Sequence, residues 1–285
     1  MSEPASQGCG HGGPDLEQEQ RLHDNLQKIR FKLLVMSGKG GVGKSTVAAY
    51  LALGLAARGY SVGLMDVDLH GPSIPRMLGL KGHAKVQEEA QLIEPMVTRH
   101  GLKALSVEML MPDRESSVIW RGPLKIGVIK QFVANVDWGR LDFLVIDSPP
   151  GTGDEPLTVA QSVEGALAVV VTTPQEMALA DVRKSLDFCR QLEMPVLGVV
   201  ENMSGLTCPH CGQPVDLLGQ GGGQAMAQRM GLDFLARIPW DSRLVAASDQ
   251  GQPLDLEHDH NAAGPHYRDL VQAVLNRTAE RRQGS

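Results

Sequence analysis

The residues best suited to chemistry form a glycine-rich loop that contains two lysines and a hydroxyl. The sequence GKGGVGKST, residues 38–46, fits the phosphate-binding pattern GxxxxGK[ST] and follows an apolar run, residues 31–36, that is typical of a strand. Glycines allow backbone N–H groups to surround phosphate oxygens, Lys44 adds a positive charge, and Ser45 can offer its hydroxyl to Mg²⁺. A helix that begins at Lys44 would point its positive end at the same anion. The loop therefore predicts a nucleoside triphosphate site, formed by Gly38, Lys39, Gly40, Gly41, Val42, Gly43, Lys44, Ser45 and Thr46.

Carboxylates that end two further apolar runs could serve the same nucleotide. Asp66 and Asp68 are two residues apart, a spacing that sends both side chains to one side, so that one could serve Mg²⁺ or its waters while the other orients water. A helix-capping turn is the alternative for this pair. Asp147 ends the run LDFLVID, the Walker B pattern, and would hold Mg²⁺ through water. Gly151 follows in SPPGTGD, where a glycine lets a backbone N–H approach a γ-phosphate.

A second group of candidate ligands is the CxxC pair Cys208 and Cys211. Two thiolates at this spacing can bind one soft metal, but a tetrahedral sulfur site needs four ligands. The chain has no other CxxC: Cys9 lies in the N-terminal segment, and Cys189 lies in a helical pattern that favours a small buried thiol. A symmetric dimer would supply the missing ligands, because a two-fold axis beside the pair would bring four sulfurs together.

The elements that must position these residues alternate between apolar runs and helical patterns. This alternation predicts an α/β fold, a doubly wound and largely parallel sheet with helices on both faces. Runs such as LAVVVTT, apolar on successive residues, are typical of strands buried on both faces. Ligands of such sheets bind at the carboxyl ends of the strands, where every motif above falls. The predicted strands are residues 31–36, 61–66, 102–109, 141–147, 166–173, 195–202 and 234–239, and helices are predicted at 45–58 and 178–192.

Length, composition and charge narrow the classes of function. The 285 residues are 42% hydrophobic, enough for one domain over residues 21–285, and we expect a flexible polar tail at residues 1–20. The net charge of −6 argues against a nucleic acid partner, which a basic surface would hold. No apolar run reaches the ~18 residues of a membrane span, and the N-terminal residues fit neither a signal nor a transit peptide. We therefore expect a cytoplasmic protein without a membrane partner.

Taken together and in order, the motifs resemble those of the Mrp/ApbC-type iron–sulfur cluster carrier ATPases, within the MinD/ParA group of P-loop NTPases. The resemblance covers roughly residues 20 to 255 and is specific because several motifs keep their order. It implies ATP and Mg²⁺ as ligands and a homodimer that carries a [4Fe–4S] cluster from cluster donors to apo iron–sulfur proteins. The motifs are GKGGVGKST, DVDLHGPS, VIDSPPGTGD, TTPQEMALADVRKS, VVENMSG, CPHCG, LGQGGG and ARIPWD.

The same resemblance implies roles for single residues. Lys39, the second lysine of a deviant phosphate loop, would reach across the dimer to the partner's nucleotide. Asp68 would be the hydrolytic residue, and Asn202 would bind adenine, since its amide can both donate and accept, although a turn asparagine is the alternative. Cys208 and Cys211 would be the cluster ligands. The predicted catalytic residues are Lys39, Lys44 and Asp68, the nucleotide-binding residues outside the loop are Asp147, Gly151 and Asn202, and Ser45 is the predicted magnesium ligand.

Other classes of function stay open at this point. One is a positioning ATPase of the MinD/ParA type whose CxxC holds a structural zinc, and another is an ATP-binding scaffold without useful turnover. The last helical pattern, an apolar stripe over residues 267–275, could target a membrane as in MinD, but its spacing favours a helix that packs on the sheet. Anaerobic analysis of iron, sulfide and zinc would separate the carrier from the zinc-bearing ATPase.

Overall fold

One eight-stranded sheet and nine helices account for most of the described residues of the computed structural model, which are 14–69, 71–87, 92–110, 122–208, 211, 213–258 and 262–283. The strands are β1 Ile29–Met36, β2 Val62–Asp66, β3 Lys85–Gln87, β4 Leu92–Glu94, β5 Met96–Val97, β6 Lys103–Ser106, β7 Leu141–Asp147, β8 Ala166–Thr172, β9 Val196–Glu201, β10 Leu206–Thr207, β11 Pro214–Val215 and β12 Phe234–Arg237. The helices are α1 Pro14–Gln27, α2 Lys44–Ala57, α3 Ile74–Met77, α4 Gly122–Ala134, α5 Asp154–Ser162, α6 Glu176–Gln191, α7 Gly222–Arg229, α8 Ser242–Asp249 and α9 Gly264–Gln283.

The strand order of the large sheet is β12-β9-β8-β1-β7-β2-β6-β5, and only β5 runs antiparallel to its neighbour. This largely parallel sheet confirms the predicted fold class. The register pairs Val35 and Asp66 with Asp147, on either side of β7. The end of β1 and the two aspartates therefore lie at one edge, where a doubly wound sheet places its ligands.

Helix α9 packs on the sheet and on α2. Its apolar stripe is buried at Tyr267, Leu270, Val271 and Val274, and the ring of Tyr267 lies 5.1 Å from that of Tyr50 in α2. The stripe thus faces the core, because an apolar stripe at this spacing can bury its surface only on one side of a helix. None of the described helices is long and apolar enough to cross a bilayer.

Three local features differ from the sequence-based expectations. Residues 14–20 belong to helix α1, which begins at Pro14, so the expected flexible tail does not reach residue 20; residues 1–13 lie outside the described part of the chain. Proline suits the first turn of a helix because its missing N–H has no partner there in any case. Strand β6 ends at Ser106 and a 3₁₀ turn, Val107–Leu110, replaces the rest of the predicted run. The hairpins β3–β4 and β10–β11 were not predicted, because strands of two or three residues are too short to show a period.

Candidate nucleotide and cysteine site

The phosphate loop joins β1 to α2 and depends on glycines at defined positions. Gly41 and Gly43 have φ angles of 80° and 78°, a left-handed conformation that favours glycine. A Cβ atom on Gly43 would lie 2.2 Å from Nδ2 of Asn202, and one on Gly38 would lie 2.4 Å from the Asp181 carbonyl group in α6. The loop is therefore packed between the end of β9 and the start of α6, and its backbone N–H groups can line a phosphate site at the N-terminus of α2.

Lys44 lies within a buried group of carboxylates. Its Nζ is 2.5 Å from Oδ1 of Asp147 and 3.9 Å from Oδ2 of Asp68, and it also contacts Oγ of Ser45 at 3.3 Å. All three charged side chains are buried. Lys44 thus balances negative charge at the position where the loop predicts phosphate, and a bound nucleotide would compete with the aspartates for its ammonium group.

One oxygen of the Asp147 carboxylate has no hydrogen-bond partner among the described residues. Its Oδ2 is buried and accepts no hydrogen bond from any described residue. Burial raises the pKa of Asp147 above its ordinary range, against the lowering effect of Lys44 and Ser45. A buried carboxylate oxygen without a partner, beside a serine hydroxyl, fits a hard divalent cation, which prefers oxygen ligands. Asp147 and Ser45 therefore remain suitable for Mg²⁺.

Asp66 and Asp68 are used in different ways. Oδ1 of Asp66 accepts from the Asp68 N–H at 3.1 Å, while Oδ2 accepts from the Ile74 N–H at 3.3 Å and the Ser106 hydroxyl at 3.2 Å. Burial and, next, the charge of Asp147 raise the pKa of Asp66 to about 8. Asp66 therefore holds both ends of the loop that follows β2, whereas Asp68 accepts from the Gly71 N–H at 3.3 Å through Oδ1 and directs Oδ2 at Lys44.

The other predicted nucleotide residues adjoin the loop. The Asn202 amide donates to the Val42 carbonyl at 2.9 Å, and the Gly151 N–H donates to the Ser37 carbonyl at 2.9 Å. In this state both groups hold the phosphate loop, so the predicted contacts with adenine and with a γ-phosphate stay predictions. Lys39 forms no ion pair with a described residue, and its predicted role across a dimer also stays a prediction.

The CxxC pair lies on the hairpin β10–β11, which follows β9. The Cys208 N–H donates to the Gln213 carbonyl at 2.9 Å, within the hairpin; Cys208 is half-buried and Cys211 is exposed. The described residues contain no group of three or more Cys, His, Asp or Glu side chains that could hold a metal ion. Cys189 is fully buried against the sulfur of Met36, and burial raises its pKa to about 12, as expected for a core thiol rather than a ligand.

Sequence reasoning overlooked Glu201, the last residue of β9. Its side chain is fully buried and accepts hydrogen bonds from the segment that carries the cysteines. The signal was present as a single carboxylate at the end of an otherwise apolar strand, directly before Asn202. Burial of such a residue implies partners, since an unpaired buried carboxylate is strongly unfavourable.

Comparisons with known proteins show the family of the chain. A family model described as the ParA-type NUBPL iron-transfer P-loop NTPase matches residues 28–275. The chain is 46% identical over 243 residues to the iron–sulfur cluster carrier protein of Methanocaldococcus jannaschii. The aligned residues cover 84% of this chain and 83% of the relative. It is 43% identical over 264 residues to the cytosolic Fe-S cluster assembly factor CFD1 of Eremothecium gossypii, with coverages of 89% and 94%.

Solved structures of known proteins have a similar fold. The nucleotide-binding protein from Archaeoglobus fulgidus in complex with ADP superposes with a TM-score of 0.72 at 44% identity, covering 82% of this chain and 91% of that one. The cell division ATPase MinD of Pyrococcus furiosus superposes with a TM-score of 0.64 at 23% identity, covering 86% and 98%, a likeness that concerns the fold. The match of the family model over most of the chain, together with these relatives, identifies the chain as a member of the ParA-type NUBPL iron-transfer P-loop NTPases, a family that includes iron–sulfur cluster carriers.

Proposed function

We propose that the protein binds and hydrolyses ATP with Mg²⁺ and, as a homodimer, carries a [4Fe–4S] cluster that it delivers to apo-proteins. One observation supports this proposal most strongly: the residue that follows β9 contacts the phosphate loop, and the hairpin with the two cysteines is the next element of the chain. Asn202 contacts the loop at Val42, and Cys208 follows six residues later in the chain. A change in the phosphate loop therefore has a short covalent and hydrogen-bonded route to the cysteines.

The nucleotide chemistry follows from the buried charges. Phosphates bound in the loop would attract Lys44 away from Asp147, whose carboxylate would then be available with Ser45 for Mg²⁺. The ion, when bound, would supply positive charge that offsets the charge developing on the phosphates. Asp68, 3.9 Å from Lys44, would orient the attacking water. Lys39 would complete the site of the partner protomer, as the deviant loop implies.

The cluster is cargo, and two protomers would share it. Cys208 and Cys211 supply two thiolates, and a two-fold axis beside the hairpin would bring the four that a [4Fe–4S] cluster takes. The exposure of Cys211 allows such an approach. The names of the relatives support an iron–sulfur cluster as the cargo, and with it apo iron–sulfur proteins and cluster donors as partners. One relative is called a cytosolic assembly factor, which supports the expected cytoplasmic location.

Replacing Asp68 by alanine is expected to separate ATP binding from hydrolysis. Lys44 and the loop contact the phosphates in the ground state, whereas Asp68 acts on water, so hydrolysis should fall about 100-fold or more while ATP affinity changes less than about threefold. Phosphate release and ATP binding would be measured on the same preparation. The matched control is Asp137→Ala, an exposed aspartate outside the site, which should leave both values unchanged. Unchanged turnover in Asp68→Ala would remove the proposed role.

Cluster delivery tests the proposed function as a whole. Because Lys39 and the cysteine pair would both act through the dimer, saturating Mg–ATP should change the rate of cluster transfer to an apo-acceptor by about fivefold or more. Lys39→Ala should weaken this response and spare cluster assembly. Transfer would be followed by the visible absorbance of acceptor separated from carrier. Equal rates with and without Mg–ATP in the wild type would leave the ATPase without a role in delivery.

A further inference from the structure

Glu201 is a buried carboxylate whose two oxygens both accept hydrogen bonds. Oε1 accepts from the Ser204 hydroxyl and from the Gly221 N–H at 2.8 Å, and Oε2 accepts from the Gly223 N–H at 2.6 Å. Nε of Arg237 lies 3.4 Å from Oε1 and provides a positive charge. The side chain of Glu201 is fully buried, so these groups replace the water that a carboxylate otherwise requires.

The partners of Glu201 lie at the two ends of the segment that carries the cysteines. Ser204 precedes β10, whereas Gly221 and Gly223 lie at the start of α7, after β11. The two ends are also in close contact. A Cβ atom added to Gly205 would lie only 2.3 Å from the side-chain nitrogen Nε2 of Gln220. One carboxylate thus joins the two ends of residues 204–223, the cysteine loop, which includes Cys208 and Cys211.

The neighbouring residue on the same strand end faces the nucleotide side. Asn202 donates to the Val42 carbonyl, and its own N–H donates to the Thr172 carbonyl at 2.7 Å, which fixes it to β8. Two consecutive residues of the chain therefore hold two functional segments: Asn202 the phosphate loop, and Glu201 the cysteine loop. Val42 thus contacts the Asn202 side chain directly, and one peptide bond joins Asn202 to Glu201.

The chemistry of these contacts requires a carboxylate. Backbone N–H groups approach both oxygens, and a glutamine would have to direct its NH₂ group at one of them, since that group can only donate. The substitution keeps the size of the side chain but leaves a buried donor without a partner, which disfavours the closed loop. A general packing role would instead tolerate glutamine, which has nearly the same volume.

We propose that Glu201 is a positioning residue that ties the cysteine loop to the phosphate loop, so that nucleotide binding changes the environment of Cys208 and Cys211. The proposal deepens the proposed function and rests on it for the meaning of the cysteines. Its test, however, uses the thiols of the cluster-free protein and does not depend on cluster binding.

The test compares thiol reaction rates with and without saturating Mg–ADP. All proteins carry Cys9→Ser, so that Cys9 does not react, and are treated with a maleimide. Cys189 should not react either, because it is buried and its pKa is raised to about 12. In the otherwise wild-type protein Mg–ADP should change the rate at Cys208 and Cys211 by about fivefold or more. In Glu201→Gln this ratio should fall below about twofold, while the Kd for ADP stays within about threefold, because Asn202 and the phosphate loop are intact.

The matched control is Asp142→Asn. Asp142 also accepts a backbone N–H, from Ser61 at 3.0 Å, but it lies at the amino end of β7, whereas the phosphate loop lies at the carboxyl ends of the strands, so its variant should keep the full response to Mg–ADP. If Glu201→Gln does not fold, Ser204→Ala is tested in its place. This substitution removes one hydrogen bond to Glu201, so the ratio of thiol reaction rates with and without Mg–ADP should be intermediate. A full response in either Glu201→Gln or, failing that, Ser204→Ala overturns the proposal, as does the absence of any response in the wild-type background. Failure of cluster transfer with an intact thiol response would count against the proposed function alone.

Discussion

Serine at both Cys208 and Cys211 is expected to abolish assembly of the iron–sulfur cluster. These residues are the accessible thiol pair on the hairpin β10–β11, and serine preserves their size while removing the soft ligand atoms. Anaerobic reconstitution with iron and sulfide should give visible absorbance and bound iron in the wild type, and less than about a tenth of either in the double variant. The fold should persist, because the hairpin lies outside the buried sheet.

The controls for this loss are the two remaining cysteines. Cys189→Ala removes a thiol that lies in the core against Met36, and Cys9→Ser removes one in the N-terminal segment outside the described residues. Both variants should assemble the cluster at the wild-type level, although Cys189→Ala should lose some stability through the smaller side chain. A cluster that survives in the double variant at positions 208 and 211 would defeat the assignment of the ligands.

Replacing Lys44 by alanine is expected to remove ATP binding almost completely. The lysine provides an ammonium group inside the buried carboxylate group, 2.5 Å from Asp147. Without it, phosphates lose a charge-assisted hydrogen bond and meet the charges of Asp147 and Asp68, so affinity should fall about 100-fold or more. Titration with a fluorescent ATP analogue would measure the loss.

The control for Lys44 is Lys130→Ala, an exposed lysine of α4, which should bind ATP as the wild type does. Because removal of Lys44 also leaves Asp147 without its partner, the thermal midpoint of each variant should be recorded beside the titration. ATP affinity equal to that of the wild type in a folded Lys44→Ala protein would contradict the site.

The central part of this fold could be predicted because its strands are buried on both faces. Strand β7 has the predicted bounds, residues 141–147, and the structure places its final Asp147 beside Lys44. Continuous apolar runs and a glycine-rich loop in a fixed context are strong local signals. They predict that the motifs lie together at the carboxyl ends of the strands.

Other parts of the site depend on contacts between distant segments, which local patterns do not record. The spacing of Asp66 and Asp68 predicted that both side chains point to one side. Only the structure shows that the Asp66 carboxylate accepts hydrogen bonds from Ser106 and from the backbone of the following loop. Glu201 had no recognisable partner in the sequence, because Gly221 and Gly223 lie about twenty residues away and contribute backbone N–H groups, which every residue type except proline possesses.

Native mass spectrometry of the wild-type protein, reconstituted without oxygen and assayed for iron, sulfide and zinc, tests the central claim most directly. The central claim is that two protomers share one cluster through Cys208 and Cys211. The expected species is a dimer with about four iron and four sulfide per two chains, the content of one [4Fe–4S] cluster. A protein that binds stoichiometric zinc and no iron under the same conditions, whether monomeric or dimeric, would contradict the claim and favour a structural zinc site.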